Sequence, residues 1–335
     1  MPCPLARRSL FRAALLPALL APALHVRPAG AQASGAQAFP QRPVRIVVPF
    51  PPGGATDSSA RVVADFLSAR YGKPFVVENR AGASGNIGAE YVARAAPDGH
   101  TWLIGSPANL AIGRLLNPQL AFDPMTDLTP LSLVFTTDHV LTVRADFPAR
   151  SVAAFIEEAR RRPRPLVHGS SGIGSSLHLI GEMFRLRTGL AMIHAPYRGS
   201  APAVNDLLAG TIDCMFDQLP ASVGHLRGGS LRALATTGPA PNAQLPGVPT
   251  LGETIPGFAA RSWNAMAVPA GTPAPLVAQL AADLQAALAD PGVLARLAPL
   301  GADYRASTPD EMRALMHAEV DLWGPVIRDA GISLS

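Results

Sequence analysis

The chain is poor in cysteine and in lysine, and both shortages exclude chemistry. Of its two cysteines, Cys3 falls in the N-terminal stretch and Cys214 stands alone in the remainder. No disulfide can form within the mature chain. A lone Cys between Asp213 and Met215 reads as a small core filler, not a nucleophile. Lys73 is the single lysine, which rules out a phosphate loop of the G-x-x-x-x-G-K-[ST] form. The histidines show no H-E-x-x-H pair and no other metal-ligand spacing. A G-x-S-x-G elbow fails between Gly169 and Ser176, because Ile173 stands where its last glycine is required. No metal, nucleotide or redox cofactor is expected.

The N-terminus has its own character. Arg7, Arg8 and Arg12 precede an apolar stretch from Ala13 to Leu24, and residues 31–33 and 36–38 are both small-x-small cleavage candidates. Residues 1–38 therefore read as an export signal. A membrane anchor would need about 20 uninterrupted apolar residues, and Pro17 and Pro22 interrupt this run. The Arg7-Arg8 pair resembles a twin-arginine signal, but ordinary Sec export is the preferred reading. The formal net charge is +4, and residues 1–38 hold Arg7, Arg8, Arg12 and Arg27 with no acidic residue. Removing them leaves a mature chain near neutrality, which gives no footing for nucleic acid or a membrane surface. Export without a disulfide points to the periplasm.

What is present is a repeated strand–turn–helix unit. Val44, Ile46, Val47 and Val48 form a β-branched run, stopped by Pro51, Pro52, Gly53 and Gly54. Asp57 or Thr56 can cap the helix that follows, with Val62, Val63, Phe66 and Leu67 at helical spacing. A second strand, Phe75 to Asn79, runs into the Gly-rich turn 80–85 and a helix over Asn86 to Ala96. A third, Trp102 to Gly105, is followed by a loop through Asn109. Residues 131–143 read as a long crossover. Ser151 caps the next helix, and the pattern recurs at Leu166 to His168 with the turn Gly169 to Gly174. Trp263 to Val268 reads as the return crossover. Thr272 is expected to cap a helix starting with Pro273, and Thr308 to Glu311 forms a capping box. Alternating strands and helices imply an α/β fold with ligands above the carboxyl ends of the strands.

A Gly-rich turn opening a helix leaves backbone N–H groups free to meet an anion. The loop Gly53, Gly54, Ala55 and Thr56 is one candidate half of such a grip, against the plain alternative of a tight turn without ligand. The turns holding Ser84 and Gly174 repeat the pattern. Asp57 would repel an anion, so it is assigned to capping and ordering the loop. Ser170, Ser171, Ser175 and Ser176 supply more hydroxyls than one cap needs, and two or three of them are expected to touch the ligand. His178 reads as a packed, hydrogen-bonded residue before a ligand contact. Asn109 can donate to the far end of a ligand or form a turn, and Asp217 can meet a cationic ligand group or cap. Arg198 is either a direct charge partner or a surface residue.

Five stretches in order, PVRIVVPFPPGGATDSSAR, VENRAGASGNIGAEYVARAAPDGHT, GSSGIGSSLHLIGEMF, HAPYRGSAPAVNDLLAGTIDCMFD and LPGVPTLGE…WNAMAVPAGTP, resemble the Bug-type receptors. These are the substrate-binding proteins of tripartite tricarboxylate transporters. The resemblance runs through nearly all of the mature chain, including the stretch from Pro325 to Ile332. It implies a type II periplasmic binding protein fold: two α/β lobes joined by two crossing segments, with a small organic anion in the cleft. Lobe one would comprise residues 39–139 and 262–335, and lobe two residues 140–261. It also implies carboxylate contacts from Phe50 to Asp57 and from Ser170 to Ser176, with two ordered waters as bridges and the loop carrying Tyr197 and Arg198 as a further wall. His100 stands where the family usually has Tyr, and Arg198 where Lys is usual, which leaves the ligand's identity open. The expected role is a monomeric receptor delivering a carboxylate to membrane transporter subunits. A ligand sensor for a signalling system is the alternative, since one fold serves both, and a two-lobed hydrolase is the third.

Overall fold

Strand pairing explains where a ligand can be met. The computed structural model describes residues 39–334, so the export signal read over residues 1–38 lies outside the described residues. The strands are β1 (Val44–Val48), β2 (Phe75–Asn79), β3 (Thr101–Gly105), β4 (Leu128–Arg144), β5 (Leu166–Ser170), β6 (Met192–Pro196), β7 (Cys214–Gln218), β8 (Leu231–Thr236), β9 (Arg261–Pro269) and β10 (Asp303–Tyr304). They pair in the order β2-β1-β3-β9-β4-β7-β5-β6, with β8 and β10 also joined to β4. β1 is parallel to β2 and β3, and β5 is parallel to β6 and β7. β9 runs antiparallel between β3 and β4.

The result is an α/β fold of two lobes, each built on a parallel half-sheet, with β4 and β9 between them. β4 is 17 residues long. Its residues Leu128 to Asp138 pair with β9, and His139 to Val143 then pair with β7. Both crossovers read from the sequence are therefore hydrogen-bonded strands.

The helices fill the gaps between strands: α1 (Ala55–Tyr71), α2 (Asn86–Ala93), α3 (Pro107–Leu110), α4 (Gly113–Leu116), α5 (Pro124–Asp127), α6 (Val152–Arg161), α7 (Ser176–Thr188), α8 (Ser200–Ala209), α9 (Leu219–Arg227), α10 (Leu251–Thr254), α11 (Ala274–Ala289), α12 (Pro291–Leu297) and α13 (Pro309–Ala330). β1 shows why the β-branched run matters. Four of its five side chains are buried, and only Arg45 faces water. Ile46 and Val48 share a core with Trp102, Leu131 and Met266, closed by Val63 and Leu67 of α1 and Leu280 of α11. Burying each such side chain contributes about 1.5–3 kcal/mol. On the opposite face, a larger core joins Leu103, Leu141, Phe184, Phe216 and Trp323. α13 packs there against β4, α7, α4 and α3.

Three local expectations shift. Gly54, not Thr56 or Asp57, is the N-cap of α1. α11 takes Pro273 as its N-cap, because the Thr272 hydroxyl donates instead to the Pro269 carbonyl at 2.8 Å. The loop before Asn109 winds into the short helix α3 around a Ser106–Asn109 capping box. The capping box at Thr308 and Glu311 opens α13 as read.

Candidate functional site

In the first lobe, the turns after β1, β2 and β3 come together. A Cβ on Gly85 would lie 2.4 Å from Asn109 Nδ2 and 3.2 Å from Pro49 Cβ, so only glycine lets these three turns meet. Gly53 and Gly54 are exposed, and a Cβ on either would meet nothing within 4 Å. Gly53 needs its left-handed φ of 93°, whereas Gly54 has an ordinary φ of −78° and caps α1 without a side-chain bond. The start of α1 therefore faces open space. Thr56 Oγ1 donates to Asn264 Oδ1 on β9 at 3.1 Å, tying this loop to the crossing strand.

Asp57 holds the loop from within. Its Oδ2 accepts the Gly53 N–H at 3.0 Å, while Arg61 and Asn79 bond the same carboxylate. Burial pushes its pKa up, but the bonds from Arg61, the Gly53 amide and Asn79 outweigh this and hold it below the usual aspartate value. Asp57 thus bonds the loop from the third position of α1, with a side-chain cation as a main partner, and is not the helix cap.

The second lobe narrows the serine set. Ser170 is fully buried, and its Oγ lies 2.6 Å from His194 Nε2 and accepts the Gly172 N–H. Ser175 caps α7, accepting from the His178 N–H and donating to the Gly172 carbonyl at 2.7 Å. Ser176 meets His139 Nε2 at 2.9 Å. The Ser170, Ser175 and Ser176 hydroxyls are thus engaged inside the protein, correcting the expectation of two or three ligand-facing serines. Ser171 is half-buried, and its hydroxyl has no partner among the described residues.

The neighbouring loop is zipped to this one. Tyr197 N–H donates to the Ser170 carbonyl at 3.0 Å, and Gly199 N–H to the Ser171 carbonyl at 3.3 Å. Tyr197 Oη is occupied by Asp206 at 2.7 Å, which with burial pushes its pKa up to about 12. Arg198 is exposed and makes no ion pair among the described residues. Gly199 caps α8 without a side-chain bond. One free hydroxyl, one free guanidinium and an uncapped helix start therefore sit side by side.

The remaining candidates divide. Ser84 is exposed in the turn before α2, with a left-handed φ of 56°. Asn109 is fully buried; its Oδ1 accepts the Ser106 N–H at 2.9 Å, and its Nδ2 has no partner. Asp217 is fully buried with both oxygens taken, one by Ser200 and one by Ser222 at 2.5 Å. Burial raises its pKa. Its carboxylate is committed inward, against the reading of Asp217 as a ligand contact. Gly174 backs onto lobe one: a Cβ there would lie 3.0 Å from Leu116 and 3.5 Å from Leu334.

Both loops hang on the crossing strands. Asn264, which holds Thr56, pairs in register with Phe135 on β4, and His139, which holds Ser176, lies four residues further along. At roughly 3.3 Å per residue, the two anchor points stand about 13 Å apart. The two depressions of about 580 Å³ beside Tyr91 and about 390 Å³ beside Asp138 are lined by neither loop. Asn264 and His139 were missed in the sequence; a polar residue inside each buried crossover strand was the signal available.

Residues 59–332 match the family model described as the tripartite tricarboxylate transporter family receptor. The protein BugT of Bordetella pertussis is 39% identical over 298 residues, 88% of this chain and 91% of that protein. A solved structure described as Rpa4515 of R. palustris with adipate is 40% identical, with a TM-score of 0.79 over 88% of this chain and 99% of its own. MatC of Rhodopseudomonas palustris, solved with bound malate, is 33% identical, with a TM-score of 0.75 over 86% of this chain and all of its own.

Proposed function

We infer the function of this chain from one premise: it belongs to the tripartite tricarboxylate transporter receptor family. The chain is a solute receptor that holds a small organic carboxylate between its two lobes and passes it to a transporter of the tripartite tricarboxylate type. The observation that supports this reading is the unpartnered Ser171 hydroxyl on the loop bonded to that of Arg198 and the start of α8, together with a start of α1 that likewise lacks a side-chain cap. Helix starts and a planar cation favour a carboxylate. Hydrogen bonds to a charged group contribute about 1.5–3 kcal/mol each, and micromolar affinity needs about 8 kcal/mol. Four such bonds at the upper end of that range, about 12 kcal/mol, meet that need against the lowest association cost of about 4 kcal/mol.

The finer points belong to the same proposal. The protein is exported to the periplasm behind residues 1–38 and works as a monomer. Lobe one spans residues 39–139 and 262–335, and lobe two spans residues 140–261. An anion touching both lobes stabilises the closed form over the open one, which a membrane partner then recognises. It transforms nothing. Ser170, beside His194, is buried, and Cys214 is buried with its thiol pKa pushed up.

Calorimetry of the purified protein with adipate, malate and a panel of other organic acids tests the reading. At least one acid should bind and be recovered unchanged. Ser171→Ala and Arg198→Ala should each weaken it about tenfold or more, with the melting temperature kept. A panel without any binder, or unaffected variants, would overturn it.

A further inference from the structure

Behind the second-lobe loop lies a stack of three imidazoles that the carboxylate site does not itself use. His178, in the first turn of α7, lies face to face with His194 of β6, with ring centroids 3.7 Å apart and planes 12° apart. His168 of β5 stacks on the far side, 5.0 Å from His194 and 6.3 Å from His178. The parallel register of β5 and β6 sets His168 opposite His194. Gly181 on α7 makes room for the stack, since a Cβ there would meet the His168 ring at 2.5 Å. Parallel rings present faces to one another, not lone pairs. Among the described residues no group of His, Cys, Asp and Glu is placed to hold a metal.

Two of the rings hold the ligand loop from behind. The Gly174 N–H donates to His178 Nδ1 at 3.1 Å. That bond fixes the tautomer: Nδ1 carries a lone pair, and the ring proton sits on Nε2. His194 Nε2 lies 2.6 Å from Ser170 Oγ at the other end of the same turn. Ser171 stands between these two pinned points.

We propose that His178 and His194 are positioning residues for the carboxylate grip, pinning the Ser170–Gly174 turn through neutral imidazoles, so that a proton taken up by the stack loosens the grip. The proposal deepens the receptor reading and rests on it. A protonated His178 would set an N–H against the Gly174 N–H, leaving a buried donor without an acceptor. Two rings 3.7 Å apart cannot both hold a charge at modest cost.

The surroundings favour the neutral state near pH 7. Facing His178 are His168 from β5, His194 from β6 and, one turn along its own helix, Glu182. Leu116 of α4 and Leu334 close the Gly174 side. Glu182 is shared between His168 Nε2 at 3.4 Å and Arg185 Nε at 2.6 Å. Burial and then His168 bring the His178 pKa down to about 4, against the upward pull of Glu182. Burial, His178 and His168 bring His194 down to about 3. The grip should thus be intact at neutral pH and weaken as pH falls towards 4.

The test compares wild type, His178→Ala and His178→Asn, whose side-chain oxygen replaces the Nδ1 acceptor without a titrating group. In the free protein, the amide-exchange protection factor of Gly174 is read by NMR at pH 7 and pH 4. Wild type should be protected at pH 7 and lose about tenfold or more by pH 4. Asn should stay protected at both, and Ala at neither. Adipate and malate affinities are then measured at both pH values, always comparing proteins at one pH because the acids themselves titrate. Ala should bind at least about tenfold more weakly at pH 7, Asn within about threefold, and Asn should lose less than wild type on acidification. A Gly174 protection factor unmoved by pH or by H178A overturns the proposal. Should H178A not fold, the wild-type and H178N series still decide. Protection that behaves as stated while no acid binds any of the three would instead sink the receptor reading.

Discussion

Four serines around the same two glycines end in four different situations, and each has its own experimental signature. Ser175 caps α7, so Ser175→Ala should cost about 1 kcal/mol of unfolding free energy with ligand affinity within about threefold of wild type. Ser171→Ala should do the reverse, and chemical denaturation beside calorimetry separates the two. Gly54 supplies a second contrast. Its φ suits any residue, and a side chain there would point into open space, so Gly54→Val should cost no more than the N-cap preference, about 1 kcal/mol, while lowering carboxylate affinity about tenfold or more. Unaltered binding would mean that the start of α1 does not meet the ligand. The positions of these residues were legible in the sequence, but their partners were not. Ser170 is committed to His194 and Ser176 to His139, both distant in the chain, and no local pattern announces such pairings. Asp57 shows the same limit: its ordering role follows from its place beside Gly53, while Arg61 and Asn79 as its partners do not.

Elements were more legible than residues. The β-branched run of β1, the two crossovers and the capping box of α13 follow from periodicity and cap chemistry, which are local. α3 escaped because a four-residue helix has no period to read. One pairing between elements carries a pH dependence. Glu319 of α13 is buried against β9, accepting from Trp323 Nε1 at 2.6 Å. Trp263's indole N–H makes no hydrogen bond of good geometry but still favours the ionised carboxylate. Burial wins over both indoles and pushes the Glu319 pKa up from 4.5 to about 7. The folded protein then keeps a proton that the unfolded chain releases near 4.5, so this contribution to stability is full below pH 4.5 and lost as pH rises through 7. Glu319→Gln should therefore gain on wild type by up to about 3 kcal/mol in urea denaturation at pH 8, and by far less at pH 5. Equal gains at both pH values would mean that Glu319 is not the titrating group.

At the scale of the molecule, alternating strands and helices gave the α/β class, and the two crossings gave the two lobes. What stayed hidden was the antiparallel insertion of β9 between β3 and β4, since β9 lies far along the chain from both and pairing over such distances leaves no local trace. A ligand held by both lobes should draw them together. Small-angle scattering with a saturating acid should show a smaller radius of gyration than the free protein. The unfolding free energy should rise by about 2.7 kcal/mol at a hundredfold excess over Kd. An unchanged radius alongside tight binding would place the acid on one lobe alone.

The way the lobes are joined has a mechanical outcome. β4 passes from one half-sheet to the other without leaving its ladder, and β9 lies beside it over Leu128 to Asp138. A loose tether would let the lobes swing at no elastic cost; a paired ribbon resists bending and yields by changing its twist. Any closure of one lobe on the other must therefore be absorbed as a change of twist in this shared ribbon.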